Sequence, residues 1–213
     1  MTGQRQEFER ELEAIETRVI ELFALLAEDL PRATQALLTG ESEILQVLAE
    51  REQLIDALYP EIEELVNREI VLQAPVAEDL RFLLSVLRIV PVIERSHDLI
   101  MHIAAQANHP VGDDLTDRSR SLIQRMDQVA SGMWRQTADS WYQRDASAPL
   151  ALADKDAEME SLHASLIDEL ATGQLPLPVT MEMTLVARDY ERLGKHAVNV
   201  ARRVVYLAGP NRS

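Results

Sequence analysis

Apolar residues recur every three or four positions over most of the chain, and this periodicity restricts the fold more than any other feature. In residues 5–38 they form a single stripe, which consists of Phe8, Leu12, Ile15, Val19, Leu22, Leu26, Leu30, Ala33 and Leu37. Such spacing is the period of an α-helix, whereas no stretch of useful length alternates with the period of a β-strand. The sequence therefore predicts an all-α protein.

Six long helices are predicted, with glycine or proline close to several of their boundaries. They cover residues 5–38, 42–69, from just after 75 to 107, 115–143, 149–171 and 178–207. Gly40 is expected to end the first helix, because glycine tolerates the left-handed conformation found at helix ends. The third helix is apolar around most of its circumference, so we expect it to lie centrally among the others.

The six helices divide into two similar sets of three. The third helix carries Ile-Glu-Arg-Ser-His-Asp-Leu-Ile at 93–100, and the sixth carries Tyr-Glu-Arg-Leu-Gly-Lys-His-Ala at 190–197. The two Glu-Arg pairs are therefore 97 residues apart (191 − 94). This repeat predicts two tandem three-helix bundles, residues 1–109 and 113–208, followed by a tail at 209–213.

Composition excludes several classes of protein. The chain has no cysteine, which rules out disulfide scaffolds, thiolate zinc sites and cysteine nucleophiles. It has 36 acidic and 21 basic residues, and its formal charge of −15 argues against nucleic acid as a partner. Nucleophile-elbow and Walker-type loops are absent, so an enzyme is the least supported class.

Without a signal peptide or an apolar segment long enough for membrane insertion, a cytoplasmic location is expected.

Several phrases resemble the PhoU family of phosphate-signalling proteins. They are Leu72-Gln73-Ala74-Pro75-Val76-Ala77-Glu78-Asp79-Leu80-Arg81, Glu94-x-x-x-Asp98, and the segment 190–204, which is similar to the actinobacterial branch. The resemblance implies a regulator with no enzymatic activity. Such a regulator couples the ATPase subunit of the phosphate ABC transporter to a sensor histidine kinase and represses the phosphate-starvation response when phosphate is plentiful. It also allows a homodimer.

The resemblance further implies a metal site in each half, built on a Glu/Asp-x-x-x-Asp motif. Glu94 and Asp98 are four residues apart, so their carboxylates are neighbours on one helix face. Carboxylate oxygens suit a divalent or iron-type metal ion. In the second half Glu191 is present, but Lys195 replaces the aspartate, and an ammonium group is not a metal ligand. Lys195 is expected to pair with Glu191 instead.

Two other interpretations of these residues remain open. In the first, Glu94, Arg95, Asp98, Glu191 and Arg192 form interhelical salt bridges, while Arg95 and Arg192 are also candidates for partner binding. In the second, Glu94-x-x-His97 and Glu160-x-x-His163 belong to a ferritin-like di-metal carboxylate bundle. That bundle requires a four-helix core, whereas the repeat predicts two three-helix cores.

Two further patterns predict packing. Trp134 and Trp141 are seven residues apart and share a helix face, which favours a place in the core or between the two bundles. Small residues also recur every seven positions on the last helix, at Ala187, Gly194 and Ala201. Another helix is expected to approach closely at these positions.

Overall fold

The computed structural model describes residues 2–108 and 114–209, and within these ranges it contains helices and no strand. The helices are α1 (Thr2–Thr39), α2 (Ser42–Gln73), α3 (Ala77–Ala105), α4 (Asp117–Gln143), α5 (Ala148–Leu170) and α6 (Leu177–Ala208), with a short 3₁₀ turn at Gln106–Asn108. The predicted all-α class and six-helix repeat are confirmed. The predicted break at 109–113 and most of the tail lie outside the described residues. None of the described helices has the length and apolar character needed to cross a membrane.

The first two helices end through left-handed residues. Gly40 has φ +71°, and its N–H donates to the Ala36 carbonyl at 2.8 Å, which ends α1 where the sequence predicts. The second helix extends to Gln73, four residues beyond the predicted 69. It ends at Ala74, which has φ 43° and donates its N–H to the Ile70 carbonyl. An alanine in this conformation gives no sequence signal for a helix end.

Each half of the chain forms a three-helix unit, in which α1, α2 and α3 contact one another, as do α4, α5 and α6. A buried polar cluster joins the first three helices. The Asp29 carboxylate of α1 lies 2.5 Å from Arg51 Nε of α2 and 3.1 Å from His97 Nε2 of α3. Asp29 is fully buried and His97 is 2% exposed, so their polar atoms satisfy one another inside the unit.

The two units do not have the separate cores that the repeat predicts. Helix α1 packs against α4, and α3 packs against α6, so these four helices form a closed ring with α2 and α5 on its outside. The buried apolar residues of both halves belong to one continuous cluster. If the two units were separate, each would leave an apolar face in water. Their packing against each other removes both faces from solvent.

Aromatic side chains fill the contact between the units. The Phe23 ring of α1 lies 6.2 Å from the Trp134 ring and 6.5 Å from the Trp141 ring of α4. Phe82 of α3 lies 6.1 Å from Trp141. Both tryptophans are almost fully buried, which confirms their predicted role in packing. Rings at these separations contribute beyond their buried area, typically by about 0.5–1.5 kcal/mol per pair.

The predicted close approach on the last helix is present at Gly194. A Cβ atom at this position would lie 3.5 Å from Met133 Sδ of α4 and 3.5 Å from Met159 Cγ of α5. These are ordinary contact distances, so methionine side chains of the two neighbouring helices pack directly against the backbone of α6 at Gly194.

A buried polar contact also links the two halves. The hydroxyl groups of Thr34 in α1 and Tyr190 in α6 are 2.5 Å apart, and both side chains are buried. Burial raises the pKa of Tyr190, and the nearby Asp127 of α4 raises it further, so the phenol remains protonated. Three helices from the two units therefore meet at one hydrogen-bonded point.

Replacing Tyr190 with phenylalanine is expected to lower the free energy of unfolding by about 1 kcal/mol, because the buried hydrogen bond between the two hydroxyls is lost, while Thr34 still donates to the Leu30 carbonyl. Urea denaturation at pH 7 measures this change. The double variant Tyr190→Phe, Thr34→Val serves as the control, and it should lose less than the sum of the two single variants. Strict additivity would mean that the two hydroxyls do not interact.

Candidate functional site

The structure brings the predicted acidic pair of the first half together. Glu94 and Asp98 lie one turn apart on α3, where Glu94 is half-buried and Asp98 is exposed. The pKa of Glu94 is raised, first by burial and then by the negative charges of Asp98 and of Asp56 on α2. Arg95 and His97 offset part of this effect. The surface between α2 and α3 therefore carries a negative potential.

The acidic pair does not have the ligands of a complete metal site. Across the ranges 2–108 and 114–209, no group of three or more histidine or carboxylate side chains is placed to hold a metal ion. Hard cations such as Ca²⁺ require six or more oxygen ligands, and two carboxylates supply only part of this set. Metal binding at Glu94 and Asp98 stays a sequence-based prediction.

In the second half, the ammonium group of Lys195 lies among the carboxylates of α5. Lys195 Nζ of α6 lies 3.0 Å from the Asp156 carboxylate of α5 and also forms an ion pair with Glu160. The predicted pairing of Lys195 with Glu191 is wrong, because α5 supplies two carboxylates on the side toward which the lysine extends. Glu191 Oε2 lies instead 3.9 Å from His163 Nε2. These residues do not fit a metal ion, since a fixed positive charge already lies among them.

Lys195 acts as an internal counter-ion for Asp156 and Glu160. The hydrogen bond from Lys195 lowers the pKa of Glu160, and the hydrogen bond to Glu160 is the main cause that raises the pKa of Lys195. Asp156 and Glu160 are four residues apart on one face of α5, so their charges repel each other without a cation between them. Lys195 therefore stabilises this face with no dissolved ion.

The ferritin-like interpretation has no support in the geometry. His97 is buried against Asp29 and points toward α1, whereas its expected partner Glu94 faces the negative surface next to α2. In the other motif Glu160 is bonded to Lys195. The Glu-x-x-His side chains of the described chain thus bind other groups instead of converging on one core position.

Ion pairs are absent from the arginines of α3 and α6 but are common among those of the other helices. The interhelical salt bridges expected for Arg95 and Arg192 are absent. No carboxylate in the described part of the chain lies within ion-pair distance of any arginine on these two helices, namely Arg81, Arg88, Arg95, Arg188, Arg192, Arg202 and Arg203. By contrast, seven arginines of α1, α2 and α4, and Arg144 just after α4, form ion pairs; the seven are Arg5, Arg18, Arg32, Arg51, Arg68, Arg118 and Arg125. Arg95 attracts Glu94, and Arg188 and Arg192 attract Asp189, at distances longer than an ion pair. The exposed arginines among the seven therefore keep charge that an external partner can reach.

Sequence reasoning singled out only two of these seven arginines. Arg81, Arg88 and Arg95 are spaced by seven residues, a period that places them on one face of α3. This spacing was a usable signal for a basic stripe. The absence of ion pairs was not predictable, because it depends on which helices neighbour α3 in the fold.

Replacing Lys195 with alanine is expected to lower the melting temperature slightly at pH 7, since two like charges on α5 lose their shared partner in a solvent-screened position. The Glu160 pKa is lowered in the folded protein, so this stabilisation is present above the ordinary carboxyl pKa and is lost as the pH falls through the folded value. Thermal unfolding of Lys195→Ala, with Lys195→Arg as the charge-preserving control, measures the difference. An equal loss at pH 3 and pH 7 would contradict this electrostatic role.

Comparison with known proteins identifies relatives along the whole chain. The chain is 31% identical to a phosphate-specific transport system accessory protein PhoU homologue of Synechocystis, over 96% of this chain and 92% of the relative. It is 29% identical to PhoU homologue 2 of Mycobacterium tuberculosis, over 96% of this chain and 97% of the relative. Each of these relatives therefore corresponds to both halves of the chain.

A solved structure has the same fold. The crystal structure of PhoU from Pseudomonas aeruginosa superimposes with a TM-score of 0.86 at 24% identity, covering 94% of this chain and 98% of that one. The family model for the PhoU domain matches twice, at residues 19–107 and 123–204. These two matches fall in the two three-helix units, and the chain belongs to the PhoU family.

Proposed function

We propose that this protein is a cytoplasmic regulatory adaptor of phosphate signalling that couples the ATPase subunit of a phosphate ABC transporter to a sensor histidine kinase. In this role it represses the phosphate-starvation response when phosphate is plentiful. The observation that carries the proposal is the double PhoU-domain match, together with relatives named as accessory proteins of the phosphate-specific transport system. The adaptor acts by binding and has no catalytic activity.

The distribution of charge supports an adaptor with two distinct surfaces. The first half carries −12 of the total charge, with 21 acidic and 9 basic residues in 1–108. The α2–α3 surface near Glu94 and Asp98 is negative, whereas none of the seven arginines of α3 and α6 forms an ion pair within the described residues. Surfaces of opposite sign favour two partners of different charge, because complementary potentials steer association and exclude unsuitable proteins.

Deletion of the gene is expected to make a phosphate-starvation reporter active in phosphate-rich medium, because the adaptor no longer relays the transporter state. When the affinity-tagged protein is purified from phosphate-replete cells, the transporter ATPase or the kinase should be purified with it. Complementation with the intact gene is the control for the deletion strain. Normal repression in a strain lacking every PhoU-family gene would contradict the proposal.

A further inference from the structure

We propose that the groove between α3 and α6 binds an acidic amphipathic helix of a partner protein. The groove has a volume of about 380 Å³ and is lined by Arg88, Ile89, Val92, Asn199, Val200 and Arg203. This inference goes beyond the proposed function, because it specifies the chemistry of a ligand. It is tested in vitro with the purified chain and synthetic peptides.

The shape of this α3–α6 groove fits a helix. Helices α3 and α6 run antiparallel, since Ser96 Oγ lies 2.9 Å from His196 Nδ1 while Arg203 Nη2 donates to the Leu84 carbonyl at 3.4 Å. Arg192 and Arg203 are 11 residues apart on α6, which corresponds to about 16 Å along the helix. Three turns of a partner helix cover this distance, and grooves between parallel walls of this kind bind helices through one apolar face.

The groove has an apolar floor with positive margins. Val92 is partly buried and supplies the exposed apolar surface, Ile89 and Val200 lie almost fully buried beneath it, and Arg88 is exposed on one margin. Arg203 lies on the other margin, where its guanidinium is 4.1 Å from the Tyr206 ring centroid. A helix with apolar residues at positions i, i+3 and i+7 and acidic residues beside them matches both features.

The positive potential extends beyond the groove itself. Burial lowers the pKa of His196, and the charges of Arg192 on α6 and Arg95 on α3 lower it further. Two guanidinium groups from different helices thus act on one imidazole near the end of the groove. The lowered pKa of His196 is a separate observation from the missing ion pairs, and both indicate an excess of positive charge between α3 and α6.

A short acidic helix suits this surface better than an extended polyanion. The whole chain carries −15, so a nucleic acid or an anionic membrane would meet repulsion wherever it extended beyond the groove. A planar membrane would also leave the concave floor unfilled. A helix of three turns lies within the positive region and contacts the floor.

The experiment uses two labelled synthetic peptides of about 18 residues with identical apolar positions, one flanked by glutamates and the other by lysines. Fluorescence anisotropy at 50 mM salt measures their binding to the intact chain. The acidic peptide is expected to bind at least tenfold more tightly than the basic one and to weaken as salt rises. The double variant Arg88→Glu, Arg192→Glu should lose this binding at least tenfold.

The matched control is the double variant Arg10→Glu, Arg135→Glu, which changes the net charge by the same amount and reverses two exposed arginines, on α1 and α4, that likewise form no ion pair in the structure. It should bind the acidic peptide as the wild-type chain does, and circular dichroism verifies that each variant is folded. Three results would overturn the proposal: equal binding of both peptides, unchanged binding by the variant Arg88→Glu, Arg192→Glu, or equal losses in this variant and in the control Arg10→Glu, Arg135→Glu. Self-association of the chain, or binding to phosphatidylglycerol vesicles, that disappears with Arg88→Glu would assign the groove to a different occupant.

Discussion

The packing of α1 against α4 and of α3 against α6 is the contact on which the rest of the structure depends. Each three-helix unit has an apolar face that its own helices do not cover, and the other unit covers it. Phe23, Phe82, Trp134 and Trp141 fill this contact, and the Thr34–Tyr190 hydrogen bond fixes its register.

The same contact determines where charge remains available. It places α3 and α6 side by side, and neither helix offers carboxylates to the other's arginines. Arginines of α1, α2 and α4 instead face acidic residues across their interfaces, as Arg18 faces Glu61 and Arg125 faces Glu158. A strongly acidic chain thus retains a groove with arginines on both margins at the junction of its halves.

The sequence predicted the helices and the repeat well, because apolar spacing and the Glu-Arg phrase are local properties. It did not predict the shared core, since periodicity shows that a face is apolar but not what covers it. The partner of Lys195 was also missed: Glu191 is the neighbour along the helix, whereas Asp156 and Glu160 become neighbours only through the rotation of α5 against α6. For the candidate site, the sequence spacing alone predicted that Glu94 and Asp98 are neighbours. The absence of ion pairs at Arg95 and Arg192 could not be predicted, because it depends on which helices pack together in the fold.

Equilibrium unfolding tests the shared core most directly. Trp134 and Trp141 report on the contact between the units, and far-ultraviolet circular dichroism reports on all the helices. One continuous core predicts that both signals change together, with a single denaturant midpoint, because neither half keeps its apolar face covered without the other. Two separated transitions, with tryptophan exposure preceding the loss of helix, would show that the units fold independently and would contradict this account.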